Sequence, residues 1–228
     1  MRGLYAIVDV GTLSAAGIDP VRFTQSVLAV RPCAIQLRAK DMPAREVLSL
    51  LRQLAPLCRR SGVPLVANDR ADLASFAGCD IVHVGQDDIA IDLVRRIAPG
   101  LGVGISTHTR AQLEIALAAR PTYVAYGPVF ATTTKEHPSP VVGLDGLREA
   151  AALAAAAGVP LIGIGGITAE RASDVAAIAD SAAVVAALVP SRAEQTPERD
   201  WLIEVTRRAR VIHDAFARRP GAPAEVRA

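Results

Sequence analysis

Three hydrogen-bond donors fall at every second position of one short run, Gln36-Leu37-Arg38-Ala39-Lys40. In an extended strand, alternation sends Gln36, Arg38 and Lys40 to one face and Leu37 to the other. A carboxamide and two cations converging in this way make a cradle for an anion. The plainer alternative, cationic side chains lying along a rim, does not account for a Gln and an Arg inside an otherwise apolar strand. Asn68-Asp69-Arg70 and His83-Val84-Gly85-Gln86-Asp87-Asp88 follow two further apolar runs. Asp69 and Asp88 are then two carboxylates at the ends of neighbouring strands, a set that suits Mg²⁺ completing its shell with diphosphate oxygens and water. The alternative for each is a helix N-cap. His83 lies within its strand, reads equally as a packed core residue, and is not counted as a ligand.

Later segments carry a second polar group. Ser106-Thr107-His108 offers hydroxyls that either bond a ligand or cap a helix, and a His that is either a general base or an exposed first-turn residue. Gly127-Pro128-Val129-Phe130-Ala131-Thr132-Thr133-Thr134-Lys135 places three hydroxyls and an ammonium on a loop, which reads as a phosphate grip rather than a plain polar loop. Gly163-Ile164-Gly165-Gly166-Ile167-Thr168 would bare backbone N–H groups at a helix N-terminus, another anion site. Together these residues describe one metal-bound anion near Arg38 and Asp69 and one phosphate near Thr132 and Gly166.

The elements that must hold these groups are eight short β-rich runs: Leu4–Asp9, Ala34–Arg38, Leu65–Asn68, Ile81–Val84, Gly102–Ser106, Tyr123–Tyr126, Leu161–Gly165 and Ala183–Ala186. Segments of helical spacing lie between them, among them Ala44–Arg60, Arg110–Ala118, Leu144–Ala157 and Ala169–Ala179. Thr168 and Asp41 mark helix starts, and Gly62 and Gly158 mark helix ends. Strands alternating with helices from end to end predict a single-domain α/β fold, a (β/α)₈ TIM barrel, over residues 1–217, with 218–228 as a disordered tail. An open doubly wound sheet would show a glycine-rich dinucleotide loop after the first strand, and Val10–Gly17, read as that loop, has no such fingerprint. The chemistry of a barrel sits at the carboxyl ends of its strands, where the polar groups above fall. The long non-periodic segment Ala131–Val142 is expected to be functional or mobile.

Composition narrows the partners. The 228 residues are 51% hydrophobic and only 4% aromatic, so the core must be built of Ala, Val, Leu and Ile. A net charge of +2 gives no pull toward nucleic acid, and no run is apolar enough to span a bilayer. Cys33, Cys58 and Cys79, odd in number and far apart, predict reduced core thiols in a cytoplasmic protein. A strand beginning almost at Met1 leaves no room for a signal peptide. The expected partners are phosphorylated small molecules; a homo-oligomer stays open.

Six motifs in order, each after a predicted strand, resemble the thiamine phosphate synthase family: Gln-Leu-Arg-x-Lys, Asn-Asp, His-x-Gly-Gln-x-Asp, Gly-x-Ser, Gly-Pro-x-Phe-x-Thr-x-Thr-Lys and Ile-Gly-Gly-Ile. The resemblance runs from Leu4 to about Leu188 and implies joining of hydroxymethylpyrimidine diphosphate to a thiazole phosphate, with Mg²⁺ as cofactor. It implies that Gln36, Arg38, Lys40 and Asn68 hold the diphosphate and that Asp69 and Asp88 carry the metal. Ser106 would bond near the pyrimidine and diphosphate. Thr132, Thr134 and Lys135, with Thr133 beside them, would act at the thiazole phosphate and the leaving diphosphate. Gly166, Val185 and Ala186 would close the thiazole phosphate site. Of these, Arg38, Lys40, Lys135 and Ser106 would serve the chemical step. Ala186 stands where the family usually has Ser, and Ala39 where relatives often have Glu.

Three other readings share the barrel. A thiazole tautomerase would lack much of the diphosphate and metal set. A non-catalytic barrel binding thiamine precursors would not need Arg38, Lys40, Asp69, Asp88 and Lys135 intact. A phosphosugar isomerase would want a strand-end base, and only His108 is offered.

Overall fold

Parallel strands hydrogen-bond in chain order until the last meets the first: β1 (Gly3–Asp9), β2 (Ala34–Arg38), β3 (Leu65–Asn68), β4 (Ile81–Val84), β5 (Gly102–Thr107), β6 (Tyr123–Tyr126), β7 (Leu161–Ile164) and β8 (Ser181–Val184) close an eight-stranded barrel. The computed structural model describes residues 1–132, 139–191 and 198–217. Thr133, Thr134 and Lys135, and the tail at 218–228, lie outside the described residues.

Helices α1 (Val10–Ala16), α2 (Pro20–Leu28), α3 (Ala44–Ser61), α4 (Ala71–Ala77), α5 (Ile91–Ile97), α6 (Arg110–Ala118), α7 (Gly143–Ala157), α8 (Ala172–Ala176) and α9 (Glu198–Ala217) cover the strands. Two cores result because strand side chains alternate. Outward residues such as Leu4, Ala6, Val8, Ile35 and Leu37 pack under the helices. Inward residues, Tyr5, Ile7, Val66, Tyr123 and Ile162 among them, fill the barrel. The alternation that buries Ile35 and Leu37 against helices therefore turns Gln36 and Arg38 into the barrel. Helix α9 packs on β1 and against α2 and α8, with Val205, Ala209, Ile212 and Phe216 on one buried stripe at helical spacing.

The ends of several elements differ from the sequence expectation. Val10–Ala16 is a helix rather than a loop, started by Asp9, whose carboxylate accepts from the Thr12 N–H at 2.9 Å. The helix expected over Ala169–Ala179 is only Ala172–Ala176, and the residue before it, Arg171, gives no side-chain cap, so Thr168 does not start it. Asp41 does not start α3 either; Pro43 is its N-cap residue. Gly62 and Gly158 do end α3 and α7, at φ +65° and +68°. Strand β8 ends at Val184, two residues before the predicted end, because the chain turns at Val185 into a 3₁₀ turn over Ala186–Leu188. Strand β7 ends at Ile164, one residue early, and β5 continues to Thr107.

The three cysteines are unpaired thiols. Burial pushes Cys58 and Cys79 up to about 12 and Cys33 up to about 11. Since the thiolate is the reactive form, a disulfide reagent at about pH 8, below the ordinary thiol value, is expected to label all three slowly in the native protein and rapidly after denaturation. Fast native labelling of Cys58 or Cys79 would show that the helix layer opens there.

Candidate active site

The carboxyl ends of β1 to β5 bring one group of polar side chains together. Arg38 emerges from β2 with its guanidinium ion-paired to Asp9 at the end of β1. Asp9 is only 5% exposed, and it also accepts from the Thr12 N–H and hydroxyl. Burial alone would raise its pKa, but the Thr12 bonds and Arg38 outweigh that and hold it below the usual carboxylate range. Asp9 thus stays charged and fixes one edge of a guanidinium that has five donors, leaving others for a ligand. Sequence reading missed Asp9. Its signal was the inward alternation Tyr5, Ile7, Asp9 on β1, which ends on a carboxylate beside the strand carrying Arg38.

Asp69 and Asp88 also meet. Neither is a helix cap: α4 starts from Arg70 and α5 from Ala90, and in neither case does a side chain close the cap. Asp69 is half-buried and sits at φ +63°, where a residue with a side chain is strained by ~1–3 kcal/mol. Its N–H still donates to the His83 carbonyl at 2.8 Å, so the turn is anchored to β4. Asp88 is exposed and accepts from the Gly85 N–H at 2.7 Å. Burial, and then the Asp88 carboxylate against it, push Asp69 up to about 6, while Lys40 and Arg38 nearby pull it the other way. Two carboxyl groups pressed together beside two cations, with no capping duty, form an arrangement that a divalent cation and an anion would complete.

Gln36, Asn68 and Ser106 belong to the same end of the barrel. Gln36 is buried and donates through Nε2 to Asn68 Oδ1 at 2.7 Å. Ser106 is buried at the end of β5, 2.8 Å from His83 Nε2. His83 is therefore a buried, bonded residue of the barrel interior. His108 lies with Nδ1 2.6 Å from the Gly127 carbonyl, which can only accept. That nitrogen is a donor to the backbone, not a base. Thr107 bonds the Ala125 carbonyl, and Thr109, not Ser106 or Thr107, caps α6.

The second group lies after β6 to β8. Gly165 and Gly166 have φ +100° and +62°, and a Cβ on Gly166 would fall 2.4 Å from the Ala131 carbonyl oxygen. These glycines let the β7 turn adopt its conformation and lie against the β6 loop at Phe130–Ala131. They do not open a helix: α8 begins six residues after Gly166, so the helix-terminus reading of this anion site is corrected to a loop. Arg171, exposed, spans that loop, donating to the Gly166 carbonyl at 2.8 Å and lying 4.6 Å over the Phe130 ring. Thr132 is half-buried, Val185 packs against the barrel interior, and Ala186 is exposed at the start of the 3₁₀ turn.

Comparison with known proteins gives the family. A family profile described as thiamine monophosphate synthase matches residues 4–188. A thiamine-phosphate synthase of Koribacter versatilis is 43% identical over 202 residues, covering 86% of this chain and 92% of the relative. One of Roseiflexus castenholzii is 47% identical over 158 residues, 68% of each chain. Among solved structures, a thiamine phosphate pyrophosphorylase of Pyrococcus furiosus superposes with a TM-score of 0.77 at 26% identity, covering 94% of this chain and 97% of that one.

Proposed function

The chain belongs to the thiamine monophosphate synthase family and has that family's thiamine phosphate synthase activity; from this premise we propose which residues carry the reaction and how. The observation that supports the assignment best is the Asp69–Asp88 contact beside Arg38 and Lys40. The crowded carboxylates fit Mg²⁺, and Asp69 and Asp88 would hold it. When bound, Mg²⁺ would neutralise negative charge on the diphosphate.

Arg38, fixed by Asp9, and Lys40 bind the diphosphate of hydroxymethylpyrimidine diphosphate, and Asn68 bonds it from the end of β3. They also stabilise it as a leaving group. The carbon–oxygen bond breaks with its electron pair going to diphosphate, and the pyrimidine-methyl carbon is left cationic. The thiazole nitrogen then donates its lone pair to that carbon and forms the new bond. No group of the protein needs to remove a proton. Positioning, charge stabilisation and exclusion of water are what the barrel mouth supplies. Thr132, with Thr133, Thr134 and Lys135 that follow it in sequence, and Gly166 with Val185 and Ala186, hold the thiazole phosphate. Three unpaired thiols suit a reducing cytoplasm. Incubation with both precursors and Mg²⁺, measuring thiamine phosphate and released diphosphate, tests the assignment. Product formed at full rate in excess chelator would refute the metal role.

Ala186 gives a separate prediction. A Ser hydroxyl here could donate to the thiazole phosphate, and a hydrogen bond to a charged group is worth ~1.5–3 kcal/mol, or about ten-fold to a hundred-fold in affinity. The residue is exposed, so one added oxygen should cost little. Ala186→Ser is expected to lower the Michaelis constant for thiazole phosphate several-fold and leave that for the pyrimidine diphosphate unchanged. An unchanged thiazole phosphate constant would mean that backbone groups already complete the grip. Equal losses for both substrates would mean that residue 186 packs rather than binds.

A further inference from the structure

Between Ser106 and Asn68 the barrel is crossed by one unbroken line of buried polar side chains. Ser106 Oγ lies 2.8 Å from His83 Nε2, and His83 Nδ1 lies 2.8 Å from the Tyr123 hydroxyl. Tyr123 meets the Tyr5 hydroxyl at 2.7 Å, Tyr5 donates to Gln36 Oε1 at 2.8 Å, and Gln36 Nε2 donates to Asn68 Oδ1 at 2.7 Å. Tyr5 is 1% exposed, Tyr123 0%, Gln36 3% and His83 7%. The site as described above uses Ser106, Gln36 and Asn68 and gives no part to Tyr5, Tyr123 or His83.

Elsewhere the same interior is filled by Ile, Val and Ala, so these phenols and the imidazole are not there for want of an apolar solution. The fold makes room for them specifically. Gly104 stands between His83 on β4 and Tyr123 on β6 in the strand register. A Cβ there would fall 2.1 Å from Tyr123 Cζ. The missing side chain lets Tyr123 reach across β5 and stack on His83 with ring planes 13° apart.

The line has a direction. Gln36 Oε1 can only accept, so the single proton of Tyr5 goes to it. Tyr123 must then give its proton to Tyr5. The Tyr123 oxygen is left as an acceptor, so His83 donates from Nδ1. Neutral His83 then has an unprotonated Nε2, which accepts the proton of Ser106. Burial, chiefly, pushes both phenols far above the ordinary tyrosine range, so they stay hydroxyls and keep their one proton each.

We propose that Tyr5, Tyr123 and His83 are positioning residues that lock this proton order, leaving Ser106 as an acceptor and Asn68 as a donor at the two ends of the line. The proposal rests on the functional reading above only for what the ends meet. With its proton committed to His83, the Ser106 oxygen suits an N–H donor of the substrate, such as the amino group of an aminopyrimidine. With Oδ1 committed to Gln36, Asn68 turns its NH₂ toward an anionic oxygen, the chemistry of a diphosphate. If both carboxamides were reversed, every proton would point the other way, His83 would carry its proton on Nε2, and both ends would invert.

The test is the His83 tautomer in the full chain labelled with ¹⁵N-histidine. Long-range ¹H–¹⁵N correlation would be recorded at about pH 8, above the ordinary histidine range, with the His83 signals assigned by their loss in His83→Gln. The expected result is a neutral His83 protonated on Nδ1. Tyr5→Phe keeps the ring and makes no direct bond to His83. It should nevertheless move the proton to Nε2, because Tyr123 loses its acceptor and turns its own proton to His83. A wild-type His83 protonated on Nε2, or a tautomer indifferent to Tyr5→Phe, overturns the proposal. The kinetic arm uses Tyr123→Phe. Its kcat/KM for the pyrimidine diphosphate should fall on the order of ten-fold, the scale on which supporting partners act, with none of that loss repeated in a Ser106→Ala background. A full repeated loss would mean that Tyr123 only packs, which also overturns the proposal. Should a tyrosine variant fail to fold, the wild-type tautomer still decides the direction. A chain that makes no thiamine phosphate yet shows the Nδ1 tautomer and its reversal would support the proton order while removing the functional reading.

Discussion

Asp69→Ala and Asp88→Ala are each expected to cut turnover by ~100-fold or more while leaving the barrel folded, the scale of removing one electrostatic stabiliser from a site where charge develops. Neither carboxylate caps a helix, so neither change removes a backbone partner at a helix start. Calorimetry with Mg²⁺ and inorganic diphosphate provides a readout independent of catalysis: joint binding should be strong in the parent and weak in both variants. Unimpaired joint binding in Asp69→Ala would place the metal elsewhere. The ligand-free protein offers a check on the contact itself. Asp69 is raised to about 6 from an ordinary 3.8, so between those values the folded state binds more protons than the unfolded one. Its contribution to stability therefore improves as pH falls from above 6 toward 4. Asp88→Ala should flatten that part of the pH profile by removing the neighbouring charge, although Asp69 is open enough to water for the effect to be small. A steeper profile in the variant would mean that the Asp88 charge does not raise Asp69.

Arg38→Ala is expected to lower kcat by ~10²–10³-fold if, as proposed, the lost cation faces the departing diphosphate. It should also destabilise the protein, because the Asp9 carboxylate, 5% exposed, loses its ion-pair partner and keeps only the Thr12 bonds. The double variant Asp9→Asn/Arg38→Ala separates the two effects. Removing the stranded charge should restore part of the thermal stability, Asn can still cap α1, and the activity should remain lost. Recovery of activity along with stability would show that Arg38 serves the fold and not the substrate. Asp9→Asn alone should fall between, with the guanidinium present but less firmly held.

The periodicity of the chain was enough for the barrel. Parallel strands buried on both faces read as short apolar runs, and intervening helices mark themselves by spacing and by glycines such as Gly62 and Gly158 past their ends. It was also enough to group Arg38 and Lys40 with Asp69 and Asp88, because strand ends share one rim of a barrel whatever lies between them in sequence. Element ends were less legible. The short α8 and the 3₁₀ turn at Ala186 both pack against helix α9, and Ala-rich sequence, which by itself favours a longer helix, did not reveal where they stop.

Residue type and alternation by themselves determined which side chains face the barrel interior and which rim they share, because a two-residue period leaves only two faces. Only the tertiary structure decided what those side chains do to one another. Asp9 became the anchor of Arg38 because β1 and β2 pair in a register that sets Asp9 opposite it. Asp69 and Asp88 became a crowded pair rather than two helix caps because the chain turns at φ +63° before α4 begins. Tyr5, His83 and Tyr123, unremarkable in a core read from sequence, became one line of hydrogen bonds because barrel closure brings β1, β4 and β6 within reach across a shared interior, with Gly104 leaving the gap. Contacts between residues far apart in the chain depend on register and closure, and neither is encoded in any local window of sequence.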